Sequence, residues 1–264
     1  AHLTGGQVVA GSNPVSPTQG DATSTGGQAR MTRLRDVDRE SVVILVNGPS
    51  SSGKSTLCRA LQERLTDIAD GAPGAAYAKV AFDDIVLMIA DKLFPISFVE
   101  LQGGDIGRLA SREPHDGRAG WEYIDDGHMG DDGNPRMRLV LSADSRRLLS
   151  GLHQGWGEHL KLGTNLIIDH FLQEREWSDE VLRILRASGA RVLLVGVYCS
   201  VQELERRESG RADGDLEGRP LGLARRSNEL CHSHGIDYDV VTWTDQRTTA
   251  ESVDSIIAAL HATP

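Results

Sequence analysis

The sequence predicts an α/β fold in which five parallel strands are covered by helices on both faces. Short apolar segments without charge alternate with longer segments whose apolar residues recur every three or four positions. The first pattern is typical of buried strands, the second of amphipathic helices, and their alternation of a parallel sheet. With 264 residues, 39% of them hydrophobic, the chain is long enough for one sizeable core.

The first half of the domain begins with "SVVILVN" (41–47), whose β-branched, uncharged residues predict a buried strand. "KSTLCRALQERL" (54–65) follows as a helix, because its leucines are four positions apart on one face. "AAYAKVAF" (75–82) is the second strand. Segment 84–94 is the second helix, with Asp84 placed to cap it.

The second half opens with weak periodicity over 95–141 and continues into a long helix at 142–163. The inward-facing residues expected on that helix are Leu148, Leu149, Leu152, Trp156 and Leu160. The remaining strands are expected at 165–169, 191–199 and 239–244. The helices between and after them are expected at 178–189, from 201 onward, at 223–235 and at 249–262, the last with a capping box formed by Thr248 and Glu251.

Composition excludes several classes of function. A net charge of −10 is unfavourable for gripping a nucleic-acid backbone, so no nucleic-acid partner is expected. No apolar run reaches the ~18–20 residues that a membrane span needs, so no membrane partner is expected either. The three cysteines are far apart with no CxxC spacing, which is typical of a reducing, cytoplasmic environment.

Two domain-level expectations follow. Residues 1–40 begin with a stretch rich in Gly, Ser, Thr, Pro and Gln, and we interpret them as a disordered leader or an expression remnant. Residues 41–264 form one domain with a substrate-binding insertion at about 95–141 and a lid at about 201–222. A homo-oligomer is left open.

The segment between the first strand and the first helix carries the strongest motif. Gly48 to Thr56 reads "GPSSSGKST", which fits G-x-x-x-x-G-K-[ST] in the strand-to-helix context of a P-loop. Glycines let the backbone curl so that amides and the helix N-terminus face one phosphate group. The nucleotide-binding residues predicted here are Gly48, Ser50, Ser51, Ser52, Gly53, Lys54, Ser55 and Thr56. Lys54 would reach the β- and γ-phosphates of ATP, and Ser55 would ligate Mg²⁺.

Acidic residues end two of the predicted strands. Asp83 follows the second strand, where a carboxylate can accept the proton of an attacking substrate hydroxyl. Asp84 is better placed as a helix cap, although a swap of the two roles, or capping by both, stays open. Asp169 ends "NLIID" and is the predicted second ligand of Mg²⁺, directly or through water.

The lid segment is rich in arginine and glycine. We expect Arg207 and Arg211, one helical turn apart, to contact phosphate, and Arg219 is a further candidate. The alternative is a solvated helix face held by salt bridges with neighbouring glutamates. Arg206 points elsewhere on the helix and is expected at the surface.

Five segments in this order resemble the chloramphenicol phosphotransferase-like proteins: "NGPSSSGKST", "VAFDDIVLMI", "NLIIDHFL", "VLLVGVYCSVQELERRE" and "HGIDYDVVTWT". The resemblance covers roughly 41–262 and implies a P-loop kinase fold, similar to nucleoside and shikimate kinases. It also implies ATP-dependent phosphorylation of a hydroxyl group on an antibiotic, which confers resistance. In that family a strand-end aspartate is the base, and it falls on Asp83; the family's lid arginines fall on Arg207 and Arg211, with Arg219 a further candidate. Together with Lys54 of the glycine-rich loop, the expected catalytic residues are Asp83, Arg207 and Arg211.

The stretch 95–141 is longer than the chloramphenicol enzyme requires, so the chemistry transfers better than the acceptor. A chloramphenicol-like compound and a bulkier nucleoside-type antibiotic are both open. An alternative enzyme is a small-metabolite kinase for a shikimate- or gluconate-like acceptor. An alternative of another class is a non-catalytic nucleotide-binding switch, which would bind nucleotide without turnover.

Overall fold

A computed structural model describes residues 40–72, 74–84, 88, 120–125, 136–212 and 221–262. The predicted leader, most of the helix at 84–94, much of the insertion and Arg219 lie outside the described residues. The strands are β1 (Val42–Asn47), β2 (Tyr77–Ala81), β3 (Trp121–Asp125), β4 (Met137–Leu141), β5 (Asn165–His170), β6 (Arg191–Tyr198) and β7 (Val240–Trp243). The helices are α1 (Lys54–Ala69), α2 (Ala143–Lys161), α3 (Arg175–Ala187), α4 (Val201–Ala212), α5 (Leu223–Cys231) and α6 (Thr249–Ala262).

Five of the described strands form a parallel sheet in the order β2-β5-β1-β6-β7, which confirms the predicted fold class. Strand β1 is central and pairs with β5 on one side and β6 on the other, with Val46 opposite Asp169 and Val195. The chain therefore moves to opposite sides of β1 in its successive crossovers. Ligands of open α/β sheets bind at such a switch point, beyond the carboxyl ends of the strands.

Each face of the sheet is covered by helices. Helices α1 and α6 bury Leu57, Leu61, Ile256 and other apolar residues against one face. Helices α2, α3 and α5 cover the other face, where the largest apolar group is assembled. Each fully buried aliphatic or aromatic side chain contributes roughly 1.5–3 kcal/mol, so these two layers hold the strand ends that form the site in place.

A two-stranded antiparallel hairpin, β3 with β4, lies in the stretch 95–141, whose periodicity is weak. Its apolar side chains Trp121, Met137 and Leu139 join the larger core. The side-chain amide of Gln173 pairs with β4 as another strand would: its nitrogen donates to the Leu139 carbonyl at 2.7 Å, and its oxygen accepts from the Leu139 amide at 3.2 Å. The hairpin is thus fixed to the loop that follows β5.

Two helix expectations can be checked in detail. The capping box of α6 is confirmed, because Glu251 accepts from the Thr248 amide at 2.8 Å and Thr248 Oγ1 accepts from the Glu251 amide at 3.2 Å. The expectation that Leu148 faces inward is wrong, since its side chain is 37% exposed. Adjacent helical residues lie about 100° apart, and the buried stripe of α2 runs instead through Leu149, His153, Trp156 and Leu160.

Candidate active site at the carboxyl edge of the sheet

The glycine-rich loop lies between β1 and α1, and its two motif glycines are required for different reasons. Gly53 adopts a left-handed conformation with φ of 86°, which L-residues with a side chain rarely adopt. Gly48 packs against β6, where an added Cβ would lie 2.4 Å from the carbonyl oxygen of Val197. One glycine provides the turn into the helix, and the other lets the loop lie close to the sheet.

Several side chains hold the loop in its curled shape. Lys54 Nζ donates to the carbonyl of Pro49 at 2.8 Å, so its ammonium group lies over the loop. Thr244 Oγ1 donates to the carbonyl of Ser52 at 2.7 Å, and Ser227 Oγ accepts from the amide of Ser50 at 3.0 Å. These contacts hold the loop backbone at Pro49, Ser50 and Ser52.

Two observations show that the loop fits a phosphate group. Helix α1 starts with no side-chain cap and no acidic residue in its first turn, so the positive end of its dipole faces the loop without compensation from those groups. The hydroxyl oxygens of Ser50 and Ser52 are buried and have no hydrogen-bond partner among the described residues. Oxygen atoms of a phosphate would supply the missing partners.

One cavity joins the loop to the ends of β2 and β5. Its polar lining consists of Ser50 to Thr56 together with Asp83, Asp169 and His170. Its apolar lining consists of Phe82, Tyr123, Leu139, Phe171 and Leu223. The predicted phosphate site, base and metal ligand thus share one cavity, and hairpin β3–β4 and helix α5 supply part of its opposite wall.

The two adjacent aspartates after β2 have different environments. Asp84 Oδ2 accepts from the amide of Ala81 at 2.7 Å and so closes the turn at the end of the strand. Asp83 is exposed and lines the cavity. The printed contact of Asp84 is with the end of β2, and most of the helix that it was predicted to cap lies outside the described residues, so both the cap at Asp84 and the base at Asp83 stay predictions.

Asp169 is buried at the end of β5, where it lines the cavity as Ser55 does. Carboxylate and hydroxyl oxygens are the ligands that Mg²⁺ prefers, and Mg²⁺ needs only one or two of them besides phosphates and water. Among the described residues there is no group of three or more His, Cys, Asp or Glu side chains that could hold a metal ion. Ser55 and Asp169 therefore have the ligand chemistry of a Mg²⁺ site completed by nucleotide phosphates and water.

A column of polar side chains runs from the cavity into the core. Phe171 donates its amide to His170 Nδ1 at 2.8 Å, and His170 Nε2 lies 2.9 Å from His153 Nε2. His153 Nδ1 in turn lies 3.0 Å from the carboxylate of Glu180. Burial lowers the pKa of His170 well below its ordinary value, so the ring is neutral. The neutral His170 therefore donates from Nε2 to His153, and His153 donates to Glu180.

The lid arginines are placed differently from one another. Arg207 donates to Thr244 Oγ1 at 3.1 Å, to Thr244 O at 3.0 Å and to Glu203 at 2.8 Å, and it lines a second cleft beside Gly53. Arg206 is largely exposed and pairs with Glu203 at the rim of the same cleft. Arg211 lies one turn further along α4, and the description does not include its side chain.

The sequence did not reveal several residues of the site. Thr244 and Ser227 contact the loop across 192 and 177 positions of the chain, so no local pattern could indicate them. The apolar wall residues Tyr123, Leu139 and Leu223 were missed for the same reason. A polar residue directly after β7 was the one available signal for Thr244.

The expected absence of a membrane span can be checked only in the part of the chain that the structure describes. No helix there is long and apolar enough to cross a membrane. In the segment "CHSH" (231–234), His232 Nε2 donates to the carbonyl of Val197 at 3.2 Å, and His234 Nε2 donates to that of Gln173 at 2.9 Å.

Known proteins resemble the chain to different degrees. The APS kinase CysC of Mycobacterium tuberculosis, in complex with AMPPNP and APS, is 14% identical with a TM-score of 0.46, over 84% of this chain and 99% of that one. A gluconokinase from Sinorhizobium meliloti 1021 is 16% identical with a TM-score of 0.46, over 84% and 93%. The tunicamycin resistance protein of Deinococcus radiodurans is 16% identical with a TM-score of 0.44, over 84% and 97%. Identities this low do not carry over an acceptor.

A search of curated proteins found no match. The family model described as chloramphenicol phosphotransferase-like protein matches residues 123–261, just over half of the chain. The match covers all but the first two residues of hairpin β3–β4, and it covers Asp169, the lid and helix α5, whereas the glycine-rich loop and Asp83 precede it. The chain belongs to the chloramphenicol phosphotransferase-like family.

Proposed function

We propose that this protein is an ATP-dependent O-phosphotransferase that phosphorylates a hydroxyl group of an antibiotic and thereby inactivates it. The observation that carries the proposal is that Asp83 and the phosphate-binding loop line one cavity at the carboxyl edge of the sheet. An acceptor alcohol bound there would have a carboxylate on one side and a triphosphate on the other. Membership of the phosphotransferase-like family supports this reaction class.

The loop residues would hold the phosphates of ATP. The β-phosphate would be cradled by backbone amides of the loop between Gly48 and Gly53 and by those at the start of α1. Hydroxyl groups would add contacts, from Ser50, Ser51, Ser52, Ser55 and Thr56. Ser55 and Asp169 would hold Mg²⁺, which when bound neutralises charge on the β- and γ-phosphates. Lys54, whose ammonium group donates to the Pro49 carbonyl of the loop, would contact the β- and γ-phosphates.

Asp83 would act as the base. As the acceptor oxygen forms its bond to the γ-phosphorus, the bond from that phosphorus to the bridging oxygen of ADP breaks, and the hydroxyl proton passes to the Asp83 carboxylate. Positioning and charge stabilisation supply most of the catalysis in such transfers. Lys54 and the lid arginines Arg207, Arg211 and Arg219 would stabilise the spread negative charge.

The walls of the cavity favour an uncharged acceptor with a flat apolar part. Phe82, Tyr123 and Phe171 present aromatic side chains, and Lys54 is the only cation among the described lining residues. A sugar acid or shikimate-like acceptor would need a second cation for its carboxylate. Chloramphenicol-like compounds and bulkier nucleoside-type antibiotics both meet the apolar requirement, so both belong in the test.

Mass spectrometry of a panel of antibiotics and sugar acids, each incubated with the protein and Mg-ATP, tests the proposal. We expect one antibiotic to gain one phosphate group and ATP to be converted to ADP in equal amount. Phosphorylation of a sugar acid alone would favour the small-metabolite kinase. Tight Mg-ATP binding with no product from any acceptor would favour a nucleotide-binding switch.

A further inference from the structure

Helix α5 reaches the phosphate-binding loop from the side opposite α1. Ser227, fully buried on this helix, accepts a hydrogen bond from the Ser50 amide at 3.0 Å and donates its own proton to the Ala224 carbonyl at 3.0 Å. Both functions of the hydroxyl are therefore used. Ser50 is itself buried, so without this acceptor its amide would lose its partner within the fold.

Helix α5 is anchored at both ends, so it presents Ser227 from a fixed position. At its start, Glu208 of α4 accepts from the amides of Gly222 and Ala224 at 2.8 and 2.7 Å. At its end, the side-chain amide of Asn47 donates to the carbonyl of Cys231 at 2.8 Å. A group carried on a rigid, anchored element can hold a loop to within a fraction of an ångström.

The other described contacts hold the loop at different points. Gly48 rests against β6. The carbonyl of Ser52 accepts hydrogen bonds from Thr244, which follows β7, and from Arg207, which lies on α4. Ser50, the first of the three consecutive serines of the loop, is held at its backbone amide by Ser227. That amide lies before the turn at Gly53, so its position determines the path of the backbone into the helix N-terminus.

We propose that Ser227 is a positioning residue that sets the shape of the phosphate-binding loop and thereby the affinity for nucleotide. Ser227 acts through Ser50 and needs no contact with the nucleotide itself. The inference rests on the proposed nucleotide site. It does not depend on which acceptor is phosphorylated.

The test is isothermal titration of the full chain with Mg-ADP. Ser227→Ala removes the acceptor, and Ser227→Cys replaces it with a weak one of similar size. We expect both variants to bind Mg-ADP about fivefold or more weakly, because a buried amide is left without a good partner. Affinity of Ser227→Ala within about twofold of the unaltered protein would overturn the inference.

Ser41→Ala is the matched control. Ser41 is also buried, and its hydroxyl donates to one carbonyl, that of Leu160, at 2.8 Å. It precedes β1 and so lies at the opposite edge of the sheet. We expect Ser41→Ala to lower the melting temperature while Mg-ADP affinity stays within about twofold. An equal loss of affinity in Ser41→Ala would assign the effect to general destabilisation and overturn the inference.

Hydrogen exchange of the unaltered protein gives a measurement that does not depend on any variant folding. The Ser50 amide should be protected without nucleotide, and exchange at the rate of an unstructured chain would overturn the inference. The proposed function fails separately: if no acceptor is phosphorylated but Ser227 variants lose Mg-ADP affinity, the positioning role stands alone. If transfer occurs and Ser227→Ala binds normally, the positioning role alone is wrong.

Discussion

The carboxylate of Asp84 accepts a hydrogen bond from the backbone amide of Ala81 at 2.7 Å, and this closes the turn that presents Asp83 to the cavity. We therefore expect substitution of Asp83 to affect mainly catalysis and substitution of Asp84 to affect mainly stability. Asp83→Asn should lower the rate of phosphoryl transfer by roughly 10²-fold or more while Mg-ADP binding is kept. Asp84→Asn should lower the free energy of unfolding by about 1 kcal/mol with a smaller loss of transfer. Steady-state kinetics and urea denaturation check both; near-normal transfer by Asp83→Asn would remove it as the base.

Lys54 lies over the loop with its ammonium group bonded to the Pro49 carbonyl. Lys54→Ala should weaken Mg-ATP binding by roughly tenfold or more, because a charged hydrogen bond to phosphate is lost. Lys161→Ala is the control, since Lys161 is half exposed on α2 and pairs with Glu158 at the surface. Titration calorimetry should find normal nucleotide affinity in the control. Equal affinities for the two variants would contradict the role of Lys54.

Gly48 and Gly151 form a matched pair of glycines. An added methyl group at Gly48 would meet the backbone oxygen of Val197 at 2.4 Å, whereas at Gly151 it would meet nothing within 4 Å. Gly48→Ala should destabilise the protein by about 1–3 kcal/mol and weaken Mg-ADP binding, because backbone must move. Gly151→Ala, inside helix α2, should stabilise it by about 0.5–1 kcal/mol. Thermal denaturation with and without Mg-ADP separates the two effects, and a stable, tightly binding Gly48→Ala would contradict the packing argument.

His232 makes stability depend on pH. Burial lowers its pKa to about 4, so the folded protein keeps a neutral ring that the unfolded chain protonates near pH 6.5. Between about pH 6.5 and 4 the unfolded state binds more protons, and stability must fall as pH falls through that window. Urea denaturation at steps between pH 7.5 and 4.5 should give a decreasing midpoint. His232→Asn should reduce the pH dependence, and an unchanged slope would contradict the assignment to this ring.

The sheet and the phosphate-binding loop could be predicted because their signals are local. The strand 41–47 contains five consecutive apolar residues, which indicate burial, and the loop contains two glycines five positions apart, which indicate its turn. Hairpin β3–β4 could not be predicted in this way. Its first strand, "WEYID", carries two acidic residues, and its packing depends on Gln173, which comes 32 positions after the hairpin ends and pairs with Leu139.

The rest of the candidate site depends on topology. Ser227 and Thr244 reach the loop because β1 lies between β5 and β6, which brings the end of the chain back to its beginning. Leu148 shows a second limit of prediction from periodicity. Leu148 and Leu149 are adjacent on α2 and lie about 100° apart, so they cannot both face the core, and the pattern did not determine which one does. Periodicity predicts elements, but contacts between elements follow from their order in the sheet.

The buried column of His170, His153 and Glu180 has a consequence for how this protein could be redesigned. His153 depends on two neighbours, since its Nε2 accepts from His170 and its Nδ1 donates to Glu180, so replacing His170 alone leaves a polar atom of a fully buried ring without its partner, at a cost of roughly 1–3 kcal/mol. Exchanging both histidines together for hydrocarbon side chains of similar volume would remove that loss within the column, but the amide of Phe171 would still lose its acceptor, Nδ1 of His170. A redesign of this column must therefore change its histidines together and also provide a new acceptor for the Phe171 amide.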